Sequence, residues 1–320
     1  MENQQYPLVS FVILAYNQEK YIEECVCGAI AQDYPNMEII LSDDCSTDST
    51  FEIMRRLVDE YKGPHMVILN RNEKNLGLSA HHVKVTSMCH GVFRMGNGGD
   101  DFSVPNRVSL SVKALLASTV DAISFNINRI DSDSNHIGVA FKDTDYSPEE
   151  YHLADFLNGE YHTSGASRIV RQTLYDDFGP LLPDCQTEDT TTVFRCFLRN
   201  GMGFNYTPVV NYRIHSDNLS GHDNLMRKFN PQKISKQYRH DLETARVRGF
   251  VTDEEYKQVQ KYIDHYLAWN LAIREVYFAS KWKKTLVICK YLRNPNLSLR
   301  EVLCLTPLRG LLKKDKKGDD

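Results

Sequence analysis

The stretch from Met95 to Asp101 reads Met-Gly-Asn-Gly-Gly-Asp-Asp and follows apolar residues that begin at Val92. Pro105 comes shortly after it, and proline favours the first turn of a helix. The pattern predicts a buried strand that ends in glycines and delivers two adjacent carboxylates. In open α/β sheets ligands bind at the carboxyl ends of the strands, where carboxylates suit Mg²⁺ or Mn²⁺ carrying a phosphate. The alternative is a turn whose acids only cap the next helix.

Apolar runs alternate with helical patterns in the residues before this stretch. They predict strands at Val9 to Ala15, at Met37 to Leu41 and at Met66 to Leu69, with amphipathic helices between them. This alternation predicts the α/β class, with a mostly parallel sheet flanked by helices. The sequence contains neither a Walker lysine motif nor Gly-x-Gly-x-x-Gly, so it supports neither a P-loop nor a dinucleotide fingerprint.

A second group of acids follows the second predicted strand, at Asp43, Asp44 and Asp48. A carboxylate at this place would accept hydrogen bonds from a nucleobase or a ribose, as acids do in dinucleotide sites. The alternative is that these residues order the turn and cap the helix that follows. For Asp48 we favour this second interpretation.

The composition argues against several classes of protein. The 320 residues carry a net charge of −4, whereas a nucleic-acid-binding protein normally shows a basic surplus. No apolar run approaches the roughly 20 residues of a membrane span, and the polar start lacks the apolar core of a signal peptide. The 8 cysteines form no Cys-x-x-Cys pair, which is typical of reduced thiols. We therefore expect a cytoplasmic protein that binds no nucleic acid.

Four stretches, in this order, resemble the successive signatures of family 2 glycosyltransferases. They are Val9 to Asn17, Glu38 to Thr50, Asn75 to Ser79 and the pair Asp100-Asp101. The resemblance implies the GT-A fold, in which one catalytic domain (residues 1–222) has a nucleotide-binding half (residues 1–105) and an acceptor half (residues 106–222). It also implies transfer of a sugar from a nucleotide-sugar with a divalent cation, Mn²⁺ or Mg²⁺.

The same resemblance implies which residues form the donor site. The nucleotide-binding residues would be Leu14, Ala15, Tyr16, Asn17, Asp44 and Asp100. Tyr16 would stack on the base, Asp44 would contact uracil and Asp100 would lie near the ribose. Asp101 would bind the metal that bridges the two phosphates. Gly98 departs from the family pattern, because many relatives carry another acid there.

The resemblance also covers residues of the acceptor side. Asp189 of the Glu188-Asp189 pair would be the catalytic base, since the acceptor hydroxyl must lose a proton as it attacks the anomeric carbon. Glu188 would either favour the helix start through its dipole or lie at the donor site. Arg213 and His215 resemble the closing Tyr-Arg-x-His segment, whose polar residues approach the diphosphate or the metal. Arg213 would equally pair with an acid in the core.

Other stretches of the second half have simpler interpretations. His162 to Ala166 is a run of small residues that would border a sugar pocket or form an ordinary sheet edge. Ser147 to Glu150 combines a capping box with proline at the first position, which predicts a helix start. Residues 223–320 are predicted to form a helical C-terminal region, with Thr252 to Glu255 as a capping box.

Aromatic and basic residues gather near the C-terminus. Trp282 lies among lysines, and the leucines at 308, 311 and 312 precede the lysines at 313, 314, 316 and 317. The pattern would suit peripheral contact with the inner face of a membrane that carries a lipid-linked acceptor. The alternative is a helical cap on the catalytic domain and a solvated tail.

Together these features predict an inverting, metal-dependent glycosyltransferase of polysaccharide or cell-envelope synthesis. It would move a single hexosyl or N-acetylhexosaminyl group from a nucleotide-sugar, with uridine as the expected base, to a hydroxyl of a glycan or lipid-linked glycan. The chain lacks the Gln-x-x-Arg-Trp motif of processive synthases. One alternative is a sugar nucleotidyltransferase, which would need a glycine- and basic-rich loop where Tyr16 to Gln18 lies. The other is a binding module that lost turnover, because of Gly98.

Overall fold

The structure is a computed structural model that describes residues 6–142, 149–215, 226–227 and 229–305. Two units, residues 1–218 and residues 219–320, make their contacts mainly within themselves. The expected domain boundary at residue 222 and the division of the first unit into two halves stay predictions.

One sheet forms the centre of the first unit. The strands that the structure describes in it are β1 Val9–Ala15, β2 Met37–Asp43, β3 Met66–Arg71, β4 Phe93–Gly98, β5 Phe102–Ser103, β6 Ala122–Ile130, β7 His136–Val139, β8 Glu149–Tyr151, β9 Ile169–Arg171 and β10 Met202–Arg213. They lie in the order β3-β2-β1-β4-β9-β6-β10-β5, with β7 beside β6 and β8 beside β10.

Helices flank this sheet. They are α1 Ile22–Ile30, α2 Thr50–Glu60, α3 Leu78–Thr86, α4 Arg107–Leu116, α5 Leu153–Asn158, α6 Gln172–Phe178 and α7 Glu188–Leu198. Strand β1 pairs in parallel with β2 and β4, and β2 pairs in parallel with β3. The predicted α/β class is therefore confirmed, with a mostly parallel sheet over the first 98 residues.

The core explains why the first strands were visible in the sequence. Phe11 and Ile13 of β1 and Ile39 and Leu41 of β2 are fully buried, because helices cover both faces of these strands. Strand β4 approaches β1 so closely that a Cβ on Gly96 would lie 2.5 Å from the carbonyl oxygen of Val12. Glycine at position 96 therefore lets β4 join the sheet at this point.

The helix start predicted at Ser147 to Glu150 is wrong for the part that the structure describes. Ser147 and Pro148 lie outside the described residues, and Glu149 begins β8, which pairs with β10. The side chain of Glu149 accepts a hydrogen bond from the Tyr206 hydroxyl at 3.3 Å instead of capping a helix. Helix α5 begins later, after His152, whose amide donates to Asp155 at 2.8 Å.

The described part of the second unit is helical, as predicted. Its helices are α8 Pro231–Val247, α9 Asp253–Phe278, α10 Lys281–Tyr291 and α11 Leu299–Cys304. The capping box at Thr252 is confirmed, since Thr252 Oγ1 accepts the Glu255 amide at 3.2 Å and Glu255 accepts the Thr252 amide at 2.8 Å. In the part of the chain that the structure describes, no helix is both long and apolar enough to cross a membrane.

Candidate active site

The two carboxylates predicted after β4 are held by the last strand of the sheet. Strand β4 ends at Gly98, and the turn that follows carries Asp100 and Asp101. Asp101 is 4% exposed, and its Oδ1 accepts a hydrogen bond from the Arg213 amide at 2.9 Å. Oδ2 of Asp100 lies 3.1 Å from Nε2 of His215. The structure therefore brings Asp100, Asp101 and His215 together, although they come from distant parts of the chain.

The guanidinium of Arg213 contacts protein groups around this turn. It donates to the carbonyl oxygen of Asp100 at 3.0 Å and to that of Asp131 at 3.1 Å, and it pairs with the Glu24 carboxylate. It also lies over the Tyr21 ring, 4.5 Å from the centroid. Arg213 therefore fixes the backbone of Asp100 and pairs with Glu24, an acid that is 48% exposed and so does not lie in the core. Its approach to a diphosphate stays a prediction.

The two carboxylates suit a divalent cation. Burial and the neighbouring Asp100 raise the pKa of Asp101 well above its usual range, although the Arg213 amide acts in the opposite direction. A divalent cation would offset the repulsion between the two carboxylates. Among the described residues, no three His, Cys, Asp or Glu side chains form a metal-binding group. A cation that carries a diphosphate takes one or two protein carboxylates, so Asp101 with the adjacent Asp100 fits such an ion, and the contact of Asp100 with a ribose stays a prediction.

At position 98, where many relatives carry an acid, this chain has a glycine, and its surroundings leave little room for a side chain. A Cβ on Gly98 would lie 2.7 Å from Oδ1 of Asp100, so the Asp100 carboxylate occupies the space that a side chain at position 98 would need. The next residue, Gly99, donates its amide to the Leu14 carbonyl oxygen at 3.0 Å. The glycine turn thus lies directly against the end of β1.

Asn17 ties the loop after β1 to the loop after β2. It has a positive φ of 53°, which asparagine adopts more readily than most residues. Its amide donates to Ser46 Oγ at 2.9 Å, and its Oδ1 accepts the Thr47 amide at 2.9 Å. The adjacent Tyr16 is 45% exposed. Asn17 therefore shapes the loop that presents Tyr16, and stacking of Tyr16 on a base stays a prediction.

Asp44 holds the segment that precedes α3. Its amide donates to the Ala15 carbonyl oxygen at 2.9 Å. Its Oδ1 accepts the Leu76 amide and its Oδ2 accepts the Gly77 amide, both at 2.9 Å. Oδ1 also accepts the side-chain amide of Asn72 at 2.7 Å, so Oδ2 is the oxygen with a lone pair left for another donor. The contact of Asp44 with uracil stays a prediction.

The other acids of this loop order the turn. Asp48 Oδ1 accepts the Thr50 amide at 3.0 Å, where α2 begins, and Asp43 Oδ2 accepts the Ser46 amide at 2.9 Å. The interpretation favoured for Asp48 is thus confirmed.

Asp189 lies in the first turn of α7, beside the loop that leads to β9. Its side chain is 50% exposed, and its Oδ1 is 2.5 Å from Nη1 of Arg168, which is 5% exposed. A Cβ on Gly165 would lie 2.6 Å from Oδ2 of Asp189. The run from His162 to Ala166 forms this loop rather than a sheet edge, so its small residues border the predicted base.

Glu188 connects the acceptor side with the nucleotide side. Burial raises the pKa of Glu188 to about 7, and the neighbouring Asp189 acts in the same direction. The Ser79 hydroxyl donates to Glu188 Oε2 at 3.4 Å, and Ser79 belongs to α3, whose start Asp44 holds. Besides its place at the start of α7, Glu188 therefore contacts the helix that follows the nucleotide-side loop.

Arg107 is a site residue that the sequence analysis missed, as is Arg168. Arg107 is fully buried and donates to the carbonyl oxygens of Gly96 and Ala166, both at 2.9 Å. Burial lowers the pKa of Arg107 to about 9, against the effect of Asp101. The sequence does hold a signal for Arg107, because this arginine falls on the side of α4 whose other residues are mostly apolar. A charge on a buried face needs buried hydrogen-bond partners.

Comparisons with known proteins identify the family. The family model described as Glycosyl transferase family 2 matches residues 10–179. Chondroitin synthase of Escherichia coli is 32% identical over 145 residues, which cover 45% of this chain and 21% of that protein. Hyaluronan synthase of Pasteurella multocida is 29% identical over 182 residues, which cover 54% of this chain and 18% of that protein. The chain thus spans about a fifth of the length of these relatives.

Solved structures share the fold. Residues 1–349 of S. aureus TarS in complex with UDP-GlcNAc superpose with a TM-score of 0.60 and 17% identity, over 95% of this chain and 86% of that one. Mannosyltransferase PcManGT from Pyrobaculum calidifontis, in complex with GDP-Man and Mn²⁺, superposes with a TM-score of 0.55 and 17% identity, over 98% and 89%. These two comparisons show the GT-A fold. Since the family model covers more than half of the residues, the chain belongs to glycosyl transferase family 2.

Proposed function

We propose that this chain is an inverting, metal-dependent glycosyltransferase that moves a single hexosyl or N-acetylhexosaminyl group from a UDP-linked donor to a hydroxyl of a glycan or lipid-linked glycan. One observation carries the proposal: contacts join the acids of both sides. Asp44 accepts the Gly77 amide at the start of α3. The Ser79 hydroxyl of the same helix donates to Glu188, the residue next to Asp189. Arg107 joins β4, which ends at the Asp100-Asp101 turn, to the loop that flanks Asp189.

In this mechanism the acceptor hydroxyl attacks the anomeric carbon on the face opposite the leaving nucleoside diphosphate. Asp189 accepts the proton of that hydroxyl, and attack on the opposite face inverts the configuration at the carbon. Negative charge grows on the diphosphate as its bond to the sugar breaks. A divalent cation held by Asp101, with Asp100 beside it near the ribose, would supply electrostatic stabilisation of that charge. His215, in contact with Asp100, orients this carboxylate.

The relatives support a nucleotide-sugar as the donor. The TarS structure holds UDP-GlcNAc, and the PcManGT structure holds GDP-Man with Mn²⁺. The relatives from E. coli and P. multocida are a chondroitin synthase and a hyaluronan synthase. UDP is therefore the first nucleotide to test, and GDP is the second. We propose a single addition rather than polymerisation because the chain lacks the Gln-x-x-Arg-Trp motif.

Of the two alternative functions, the sugar nucleotidyltransferase is now less well supported than the binding module. The sugar nucleotidyltransferase loses its support, because the family is one of glycosyl transferases and Tyr16 to Gln18 is not glycine-rich. The binding module without turnover remains the second candidate, because Gly98 leaves one carboxylate fewer than many relatives have. The two remaining functions share nucleotide binding and differ in whether the sugar is transferred.

The first experiment measures nucleotide binding. UDP, GDP, CMP and dTDP are tested by thermal shift and calorimetry, each with and without Mn²⁺. At a hundredfold excess over the dissociation constant, a ligand of the native state adds about 2.7 kcal/mol, or about 5–11 °C in melting temperature for a unit of this size. We expect UDP to stabilise the protein with Mn²⁺, Asp101→Ala to abolish the effect and the exposed control Asp133→Ala to keep it. If none of the four nucleotides binds, the proposed donor site is wrong.

The second experiment tests transfer. Release of UDP and formation of product are followed with UDP-sugars and glycan acceptors, and the anomeric configuration of the product is determined by NMR. An α-linked donor should give a β-linked product. Asp189→Asn should slow transfer by about 10²- to 10⁴-fold, the usual contribution of a general base, while nucleotide binding persists. Retention of configuration, or full turnover by Asp189→Asn, contradicts the proposed mechanism. Binding without turnover on any donor favours the binding module.

We also propose that the second unit contacts an anionic membrane surface, near a lipid-linked acceptor. On α10, Trp282 is 90% exposed and Leu286 is 72% exposed. Their spacing places both on one face of the helix, Lys283 and Lys284 lie between them in the chain, and the helix itself contains no acid. An apolar stripe flanked by lysines suits an anionic interface. The leucines and lysines predicted at residues 308–317 lie outside the described residues, and a location at the inner face of a membrane stays a prediction.

Sedimentation with lipid vesicles tests this surface. We expect the protein to sediment with vesicles that contain phosphatidylglycerol and to stay in the supernatant with pure phosphatidylcholine. Trp282→Ser combined with Leu286→Ser should abolish binding, whereas Val247→Ser, at a position 85% exposed on α8, should not. Binding that survives the double change would show that α10 is not the contact surface.

A further inference from the structure

Arg168 is a buried cation whose side chain has partners on three sides. Its Nε donates to Ser124 Oγ at 3.3 Å, its Nη2 to Thr163 Oγ1 at 2.8 Å and its Nη1 to Asp189 Oδ1 at 2.5 Å. Burial alone would lower the pKa of Arg168, but the Asp189 carboxylate, together with Cys196 and Tyr175, holds the pKa above its usual value. The guanidinium is therefore charged, and its three partners fix its plane.

The ion pair uses only one oxygen of Asp189. A guanidinium only donates hydrogen bonds, so its bond and its charge stabilise the negative charge on Oδ1 and leave Oδ2 as the more basic oxygen. Among the described residues, Oδ2 receives no hydrogen bond. It lies beside Gly165, where a Cβ would be 2.6 Å away. Gly165 is exposed, so a ligand can reach Oδ2 across a residue that has no side chain.

We propose that Arg168 is a positioning residue for transfer: it holds Oδ1 of Asp189 so that Oδ2 is the atom that takes the acceptor's proton above Gly165. This inference rests on the proposed role of Asp189. An arginine suits the task because its planar fork reaches three acceptors at once, whereas a lysine ammonium is a point charge on a flexible stem. Arg168 acts through Asp189, since it is almost fully buried and Asp189 lies at the surface.

The other titratable groups around Asp189 carry no positive charge near pH 7, so Arg168 is the cation that contacts it. Glu188 lies next to it in α7 and is an acid. His82 of α3 interacts with Asp189 electrostatically, but burial lowers the pKa of His82 to about 4, so this histidine is neutral near pH 7. Burial raises the pKa of Tyr161, so it is neutral as well. Of these groups, Arg168 is therefore the one whose removal should most change the position and the charge environment of the Asp189 carboxylate.

The test compares Arg168→Gln and Arg168→Lys, each alone and combined with Asp189→Asn. We expect Arg168→Gln to lower kcat about 10²-fold, because a catalytic group displaced by about 1 Å loses that much. The dissociation constant of UDP with Mn²⁺ should not change, and Arg168→Lys should recover part of the loss. In the Asp189→Asn background, Arg168→Gln should cause no further loss, because residues that act as a unit are not additive.

Arg171→Gln serves as a matched control. Arg171 donates to the carbonyl oxygens of Val120, Leu115 and Ser118, so its loss should lower stability and leave kcat unchanged. A loss that is equal in both backgrounds, or that equally weakens UDP binding, would overturn the inference. Full turnover by Asp189→Asn would overturn the proposed base, and full turnover by Arg168→Gln beside a slow Asp189→Asn would overturn only the role of Arg168. Should Arg168→Gln fail to fold, Thr163→Val, which removes one acceptor of the guanidinium, should show the same non-additive loss.

Discussion

Replacement of Gly165 by alanine is a direct test of where the base lies. The new Cβ would be 2.6 Å from Oδ2 of Asp189 and 2.7 Å from its Cγ and Oδ1. Ordinary van der Waals contact begins at 3.4 Å, so the carboxylate must withdraw by about 0.8 Å. Arg168 opposes that movement, because it bonds Oδ1 and is itself fixed by Ser124 and Thr163.

The size of the effect follows from this displacement. A misplacement of about 1 Å costs about 10²-fold in rate, so we expect kcat to fall by about that factor. The fall corresponds to about 2.7 kcal/mol of lost transition-state stabilisation. Binding of UDP with Mn²⁺ should be unchanged, because Asp44 and Asp101 are not among the groups that the new methyl group would crowd.

The assay follows UDP release at saturating donor and acceptor, with calorimetry of UDP and Mn²⁺ on the same samples. Gly63→Ala is the matched control, because its Cβ would crowd the Tyr61 side chain in the same way at a place far from these residues in the chain. The control should keep its kcat. Full kcat in Gly165→Ala would refute the argument that the proton acceptor lies against Gly165.

Further changes test other contacts of the site. Gly98→Ala should displace the Asp100 carboxylate from His215, and loss of a charge-assisted hydrogen bond of about 1.5 kcal/mol should raise the donor KM about tenfold in steady-state kinetics. Glu188 has a pKa of about 7 in the native state, above its ordinary value of 4.5, so its contribution to stability is present below about pH 4.5 and is lost as the pH rises through 7. Glu188→Gln should therefore match the wild type in melting temperature at pH 4 and exceed it at pH 8, and a parallel pair of pH curves would contradict this. Arg107→Met should cost about 3 kcal/mol in urea unfolding, since the buried side chains of Asn97 and Ser103 and two carbonyl oxygens lose their donor, whereas Arg56→Met, in an exposed ion pair, should leave the urea midpoint nearly unchanged.

The strands that the sequence revealed most clearly are those covered on both faces. The prediction for β1 has the same bounds as the structure, Val9–Ala15, because every residue of the run is apolar or small and most are buried. Strand β9 escaped prediction, since its three residues, Ile169–Arg171, are too few to show a period. Its place between β4 and β6 depends on antiparallel pairing with both neighbours, which no local pattern encodes.

The sequence indicates which acids to expect at the site, but it does not reveal which residues contact them. The acids at positions 44, 100, 101 and 189 stand out because carboxylates end strands or begin a helix. Their partners are distant in sequence: Asp101 is held by Arg213 and Asp189 by Arg168. Arg213 stands out through its resemblance to the Tyr-Arg-x-His segment, whereas Arg168 looks like an ordinary surface charge until the fold buries it. The sequence therefore shows where the chemistry is expected, and the structure shows what fixes its geometry.

The bond between the Arg213 amide and Asp101 has a consequence for the order of assembly. A polypeptide that ended before β10 would contain all four family signatures, yet it would lack the strand that holds the Asp100-Asp101 turn. During synthesis on the ribosome, this turn can reach its final geometry only after residue 213 has emerged. Nucleotide binding would then report completion of the whole first unit, and residues 1–201 expressed alone should not acquire it.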